Sequence, residues 1–197
     1  MLHAFWQHVI LVVVSVAIAL AISLAAGIWA SRRPRVYAPI MAVTALLYTV
    51  PSLALFALLI PLVGLGRTPA IIGLVSYSLL ILIRNIATGI REVPADIVEA
   101  ARGMGFAPWQ VLVRIELPLA LPVIVAGVRI ATVTVIGIAT IAAYINAGGL
   151  GRLIFDGIQQ AFPEKIVVGG LLASLMAIVA DVGFTRLERR LRVGRAG

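Results

Sequence analysis

Five stretches of apolar residues, at positions 9–29, 37–62, 68–90, 119–142 and 166–187, decide most of what this chain can become. A helix needs about 20 apolar residues to cross the hydrocarbon layer, and lipid offers no partner to a free backbone group. Each stretch is therefore expected to cross a membrane as a helix, which makes the chain an all-α membrane protein of five spans. Composition agrees: 62% of the 197 residues are hydrophobic, where soluble domains hold about 45–50%. The mean hydropathy is +1.12. One compact membrane domain uses the length, with no room for a second globular unit. Pro51, within TVPSLA, removes a donor inside the second stretch, so a kink or interruption is expected there.

The basic residues between the spans fall mostly on one side. Arg32, Arg33, Arg35, Arg91, Arg102, Arg114, Arg186, Arg189, Arg190, Arg192 and Arg195 share one face, against Arg67, Arg152 and Lys165 on the other. The positive-inside rule then predicts an N-terminus outside, a cytoplasmic C-terminus with a basic tail at 188–197, and a cytoplasmic segment at 91–118. MLHAFWQH carries no basic residue ahead of the first apolar run, so an uncleaved first helix is expected rather than a signal peptide. In that helix Ser15, Ala19, Ser23 and Gly27 recur every four residues and form a small-residue ridge suited to a helix contact.

Several functions are excluded or disfavoured. The net charge of +8 is dispersed between apolar runs, with no basic stripe interleaved with aromatics, which speaks against nucleic acid. Without cysteine there are no disulfides, thiol nucleophiles or thiolate metal sites. His3 and His8 are five apart with no carboxylate near, so they are read as interfacial polar residues beside a Trp6 surface anchor rather than as metal ligands. Lys165, the single lysine, sits in FPEKIVV, so the chain has no Walker A loop; HExxH and GxSxG are absent as well. No carboxylate pair lies inside the spans, so no catalytic residues are assigned and an enzyme is not expected. Arg84, Arg129 and Asp181 lie in or near the spans. Arg84 can snorkel, and Asp181 is expected to pair with Arg129 or Arg84 as a structural contact.

The polar segment EAARGMGFAPWQVLVRIELP interrupts this pattern. Pro94 starts a short helix with Asp96 in its first turn, and Glu99 and Arg102 are spaced to interact. Ala100 and Ala101 keep the helix slim, and Gly103 and Gly105 end it. A second short helix is expected from about Pro108 to just before Pro118, with Trp109, Leu112 and Val113 as its apolar set. Physics alone leaves two readings open: a surface that docks a partner, or an amphipathic loop lying on the bilayer.

Glu99-Ala100-Ala101, three residues, Gly105, nine residues, then Ile115-x-Leu117-Pro118 resembles the EAA signature of membrane subunits in binding-protein-dependent ABC importers. Every position of EAA-x3-G-x9-I-x-L-P is matched. The resemblance implies a type I permease fold with a five-helix core, covering roughly residues 10–190. It makes Glu99, Ala100, Ala101 and Gly105 the docking element for a separate ATPase, with Ile115, Leu117 and Pro118 anchoring its return. It further implies two ATPase subunits that hold ATP and Mg, no cofactor on this chain, and a second permease, identical or homologous. An extracytoplasmic binding protein would supply the solute, and the location would be a prokaryotic cell membrane.

TVPSLALFALLIPLVGLGRTPAIIGLVSYSLLILIRNIATGI and INAGGLGRLIFDGIQ are similar to the osmoprotectant subgroup, whose importers take up glycine betaine, choline or carnitine. Related permeases for methionine share parts of these stretches, so a methionine-like amino acid or ergothioneine is the alternative solute. An ATP-independent carrier or channel is the rival class. Gly148, Gly149 and Gly151 are expected to form tight turns near the outer mouth. Quaternary ammonium recognition uses aromatic cages. Tyr48, Phe56, Tyr77 and Tyr144 are spread over several spans, and packing is the commoner role of such rings. Tyr48, Pro51, Ser52, Tyr77, Asn85 and Asn146 are the pathway candidates.

Overall fold

The structure is a computed structural model, and it describes residues 1–193. All regular structure among the described residues is helical. α1 is Leu2–Arg32, α2 Pro34–Thr49, α3 Ser52–Val63, α4 Arg67–Arg91 and α5 Ala95–Gly103. α6 is Pro108–Val111, followed by a π-helical turn Leu112–Glu116, α7 Leu117–Ile141 and a 3₁₀ turn Ala142–Ile145. α8 is Leu150–Gln159 and α9 Pro163–Val193. Residues 188–193 of the expected basic tail thus continue α9, and Arg195 lies outside the described residues.

Among the described residues four helices are long and apolar enough to cross a membrane: Leu2–Arg32, Arg67–Arg91, Pro108–Ile145 and Pro163–Leu191. The stretch expected as one span at 37–62 is not a straight helix. α2 and α3 meet at an angle of 98°. Proline disfavours helical backbone in the residue before it, and Val50 accordingly has ψ 127°. Pro51 follows with ψ 134°, so two successive extended residues turn the chain.

α4 is the most enclosed of the long helices, with Leu74, Leu82, Ile83 and Ile86 almost fully buried. The small-residue ridge of α1 is indeed a contact face: Ser15, Ala19, Ser23 and Gly27 are all buried. A Cβ at Gly27 would stand 2.7 Å from the Ile86 side chain, so only glycine lets α1 come this close to α4. α7 packs against both α4 and α1, where Ala120, Ile124 and Ala131 close the core. α9 leans on α7 and leaves Leu171, Leu175, Ile178 and Val179 exposed, a surface fit for lipid or a neighbouring subunit.

Candidate functional site

α5 stands nearly free of the helix bundle. Glu99 and Ala100 are exposed, and Ala101 is the residue it buries. Its C-terminus is a Schellman motif: the Phe106 N–H donates to Ala101 O at 3.1 Å and the Gly105 N–H to Arg102 O at 2.9 Å. Gly105 has φ +85°, the left-handed position that closes the motif. The EAA-x3-G spacing is thereby explained physically. Ala101 supplies the carbonyl three positions inside the helix end, and Gly105 is the first residue beyond it. Gly103, expected to share in ending the helix, is instead its last helical residue and has no positive φ.

The return segment differs from expectation. No second short helix stops before Pro118. Instead α6, the π turn and α7 run on as one helix to Ile145. Gln110 Oε1 accepts the Ala107 N–H at 2.8 Å and so caps the start. Pro118 has no N–H to donate, and the ladder ahead of it widens, with the Leu117 N–H reaching Leu112 O. The helix therefore accommodates the proline without breaking. Val111 faces inward, whereas Trp109 is 62% exposed and Val113 is exposed. Ile115 and Leu117 are half-buried, and Leu117 packs on the core between α1, α4 and α7.

Sequence reasoning passed over Glu116, the unspecified position of I-x-L-P. It is 3% exposed, and its carboxylate accepts from both terminal nitrogens of Arg32, with Arg32 Nη1 to Oε1 at 2.8 Å. The available signal was a lone carboxylate in an apolar run opposite an arginine at the end of the first span. Arg91 does related work: Nη2 donates to Ala30 O at 2.8 Å, and its guanidinium lies 4.2 Å over the Tyr37 ring.

The pathway candidates divide. Tyr48 and Tyr77 meet edge-on with ring centroids 5.9 Å apart, and the Tyr77 hydroxyl donates to Val50 O at 2.5 Å. Tyr48, Tyr77, Pro51 and Ser52 therefore share the bend. Asn85 lies two turns further along α4, its Nδ2 donating to Ile81 O and its side chain against Gly127. Asn146 is a turn residue with φ 65°, outside the Tyr48–Tyr77 group. Phe56 is fully buried against Gly73, and Tyr144 pairs with Phe155, so the four aromatics do not form one cage. Replacing Tyr77 by Phe should cost about 1 kcal/mol, the usual net worth of a lost hydrogen bond. Thermal unfolding in detergent checks this; an unchanged midpoint would mean that Val50 O gains nothing from the hydroxyl.

The spans' other ionisable groups pair as expected. Arg129 Nε lies 3.8 Å from Asp181 Oδ1, and Arg129 Nη1 donates to Thr185 Oγ1 at 2.7 Å. Arg84 is exposed. His8 is a correction, for it is fully buried rather than interfacial. Its Nδ1 accepts the Leu150 N–H and its Nε2 donates to Ile136 O, both at 3.2 Å. Gln7 Oε1 accepts the neighbouring Gly149 N–H, so the start of α1 pins the glycine-rich loop. In that loop Gly148 and Gly149 take positive φ, as a tight turn requires. Gly151 does not; it is glycine because α8 touches the backbone of α7 at Thr140.

This arrangement, an apolar helical bundle with an exposed polar helix inserted before its longest helix, is the fold of an importer's membrane subunit. The inward-facing MetNI methionine ABC transporter has it: the superposition covers 97% of this chain and 95% of that one, with TM-score 0.85 and 23% identity. Residues 17–193 match the family described as binding-protein-dependent transport system inner membrane component, and the chain belongs to that family. It is a transport subunit of the membrane. Among its relatives is the carnitine transport permease protein OpuCB of Listeria monocytogenes, 41% identical over 94% of this chain and 85% of that protein. The osmoprotectant import permease protein OsmW of Salmonella typhimurium is 40% identical, over 93% and 87%. The choline transport system permease protein OpuBB of Bacillus subtilis is 37% identical, over 97% and 88%.

Proposed function

We propose that this chain is the permease subunit of an ATP-driven importer for an osmoprotectant such as glycine betaine, choline or carnitine. The observation that carries the reading is the set of near-full-length relatives, at 37–41% identity, whose names state carnitine, choline or osmoprotectant transport. Two permeases would form the pathway, each contributing five spans with the bent α2–α3 pair as one, the N-terminus outside and the C-terminus in the cytoplasm. α5 would dock into a separate ATPase, which holds ATP and Mg, and a binding protein would deliver solute from outside. The exposure of Glu99 and Ala100 supports the docking role, since α5 buries little beyond Ala101 among the described residues and leaves a face open to another chain. The bend at Pro51 supports a place on the pathway for Tyr48 and Tyr77, whose rings lie together at a point where regular backbone is interrupted.

Uptake of labelled glycine betaine into liposomes holding this chain, its ATPase and its binding protein, with and without internal ATP, tests the proposal. ATP-dependent accumulation is expected. ATP hydrolysis without betaine uptake would send the substrate search toward methionine-like solutes, and uptake indifferent to ATP would favour a carrier. A docking test runs beside it. Glu99→Trp and Gly105→Ile are expected to lower ATPase copurification about tenfold or more while the chain still inserts, since each places bulk on α5 or forces a β-branched residue into left-handed backbone. Copurification equal to wild type in both variants would remove α5 as the docking element.

A further inference from the structure

The segment between α4 and α7 leaves the bundle at Arg91 and rejoins it at Glu116, and both ends are held by one turn of α1. At the first end Arg91 Nη2 donates to Ala30 O at 2.8 Å and Nε to Ser31 O at 3.4 Å, with Tyr37 of α2 beneath the guanidinium. At the second end Arg32 grips the buried Glu116 carboxylate with two nitrogens. The chemistry of each contact suits the place. The last carbonyls of α1 lie beyond the regular helical ladder, Ala30 O taking one long bond from the Arg33 N–H at 3.3 Å, and a cation is favoured where the helix dipole is negative. A two-pronged guanidinium–carboxylate pair fixes direction as well as distance. Residue Arg33, with φ −136° and ψ 95°, is all that separates α1 from α2. α2 in turn ends at the bend where Tyr48 and Tyr77 meet.

We infer that the last turn of α1, Ala30–Arg32, is a two-point clamp that carries movement of the α5 segment into α2 and so to the Pro51 bend. The clamp rests on the reading of α5 as the ATPase-docking element. Arg32, Arg91 and Glu116 are positioning residues, each acting by holding one element to another. A push on α5 displaces both ends of its segment. Because both ends are tied to the same turn, that turn moves with the segment rather than being left behind by α4 and α7. α2, joined to it through one extended residue, follows.

The test uses the full complex of this chain, its ATPase and its binding protein in liposomes. It compares wild type, Arg32→Glu, Glu116→Arg and the double reversal. The readouts are ATPase copurification and the number of ATP molecules hydrolysed per labelled glycine betaine accumulated. Each single reversal is expected to raise that ratio about tenfold with copurification retained, and the double reversal to bring it back to within about threefold of wild type. Arg91→Lys, which keeps the charge and loses the planar stack on Tyr37, should raise the ratio about threefold and guards against single reversals that do not fold. Single reversals and Arg91→Lys that couple like wild type would overturn the clamp alone. So would a double reversal that stays as uncoupled as the singles. A wild-type chain that binds no ATPase and shows no ATP-dependent uptake would take the proposed function down together with the clamp.

Discussion

Gly151→Ala is expected to remove most of the correctly folded protein, while Gly137→Ala leaves it unchanged or slightly more stable. A Cβ built on Gly151 would collide with Thr140 O and lie 2.6 Å from Thr140 C and 2.8 Å from Thr140 Cα. These are backbone atoms near the end of α7, which no rotamer change can move aside. α8 would have to lift away from α7, and its first turn is already held by the hydrogen bonds from Gly149 and Leu150 to Gln7 and His8. Overpacking in a close-packed interior costs about 1–3 kcal/mol, and more where backbone must shift, so a loss of about 3 kcal/mol or greater is expected. Gly137 also lies in α7, but a Cβ built there would meet no side chain or neighbouring element of the described residues within 4 Å, and replacing a helical glycine by alanine gains up to about 1 kcal/mol. Thermal unfolding of both variants in detergent, followed by size exclusion, checks the contrast. A Gly151→Ala midpoint equal to wild type would contradict the packing of α8 on Thr140.

His8→Ala should be nearly as damaging, with a loss of about 3 kcal/mol. The Leu150 N–H can only donate, so His8 Nδ1 bears no proton and Nε2 carries the one given to Ile136 O. Alanine removes both contacts at once, leaves a buried N–H without an acceptor and opens a void at a site with no solvent access. His8→Asn restores a short acceptor and is expected to recover part of the loss. Hydrogen exchange at the Leu150 amide gives a local readout: it should quicken strongly in the alanine variant and less in the asparagine one. An unchanged rate in both would mean that the loop is held by something other than the imidazole.

The parts of this molecule that were legible in the sequence are those governed by local rules. Apolar length marked α1, α4, α7 and α9, and Pro51 announced the break that turns α3 away from α2. Pro94, Asp96 and Gly105 delimited α5 because caps and left-handed turns depend on a few adjacent residues. What stayed hidden depends on distance along the chain. His8 reads as a tail imidazole until Ile136 and Leu150 close around it, 128 and 142 residues away. Glu116 and Arg32 are 84 residues apart, and although a lone carboxylate and a span-end arginine each call for a partner, only the fold matches the two. Pro118 invited the inference of a helix end, and the π turn before it was invisible because the sequence does not say whether a released carbonyl breaks a helix or widens it.

The widened turn also sets an angle. An α-helix rotates by about 100° per residue, so the one residue absorbed between Leu112 and Leu117 shifts the phase of everything ahead of it relative to everything behind. The direction in which Trp109 and Gln110 leave α7 is thus set by a residue count within Leu112–Glu116. Shortening that turn by one residue would make the helix more regular and would swing the exposed Trp109 by about a quarter of a circle relative to α7.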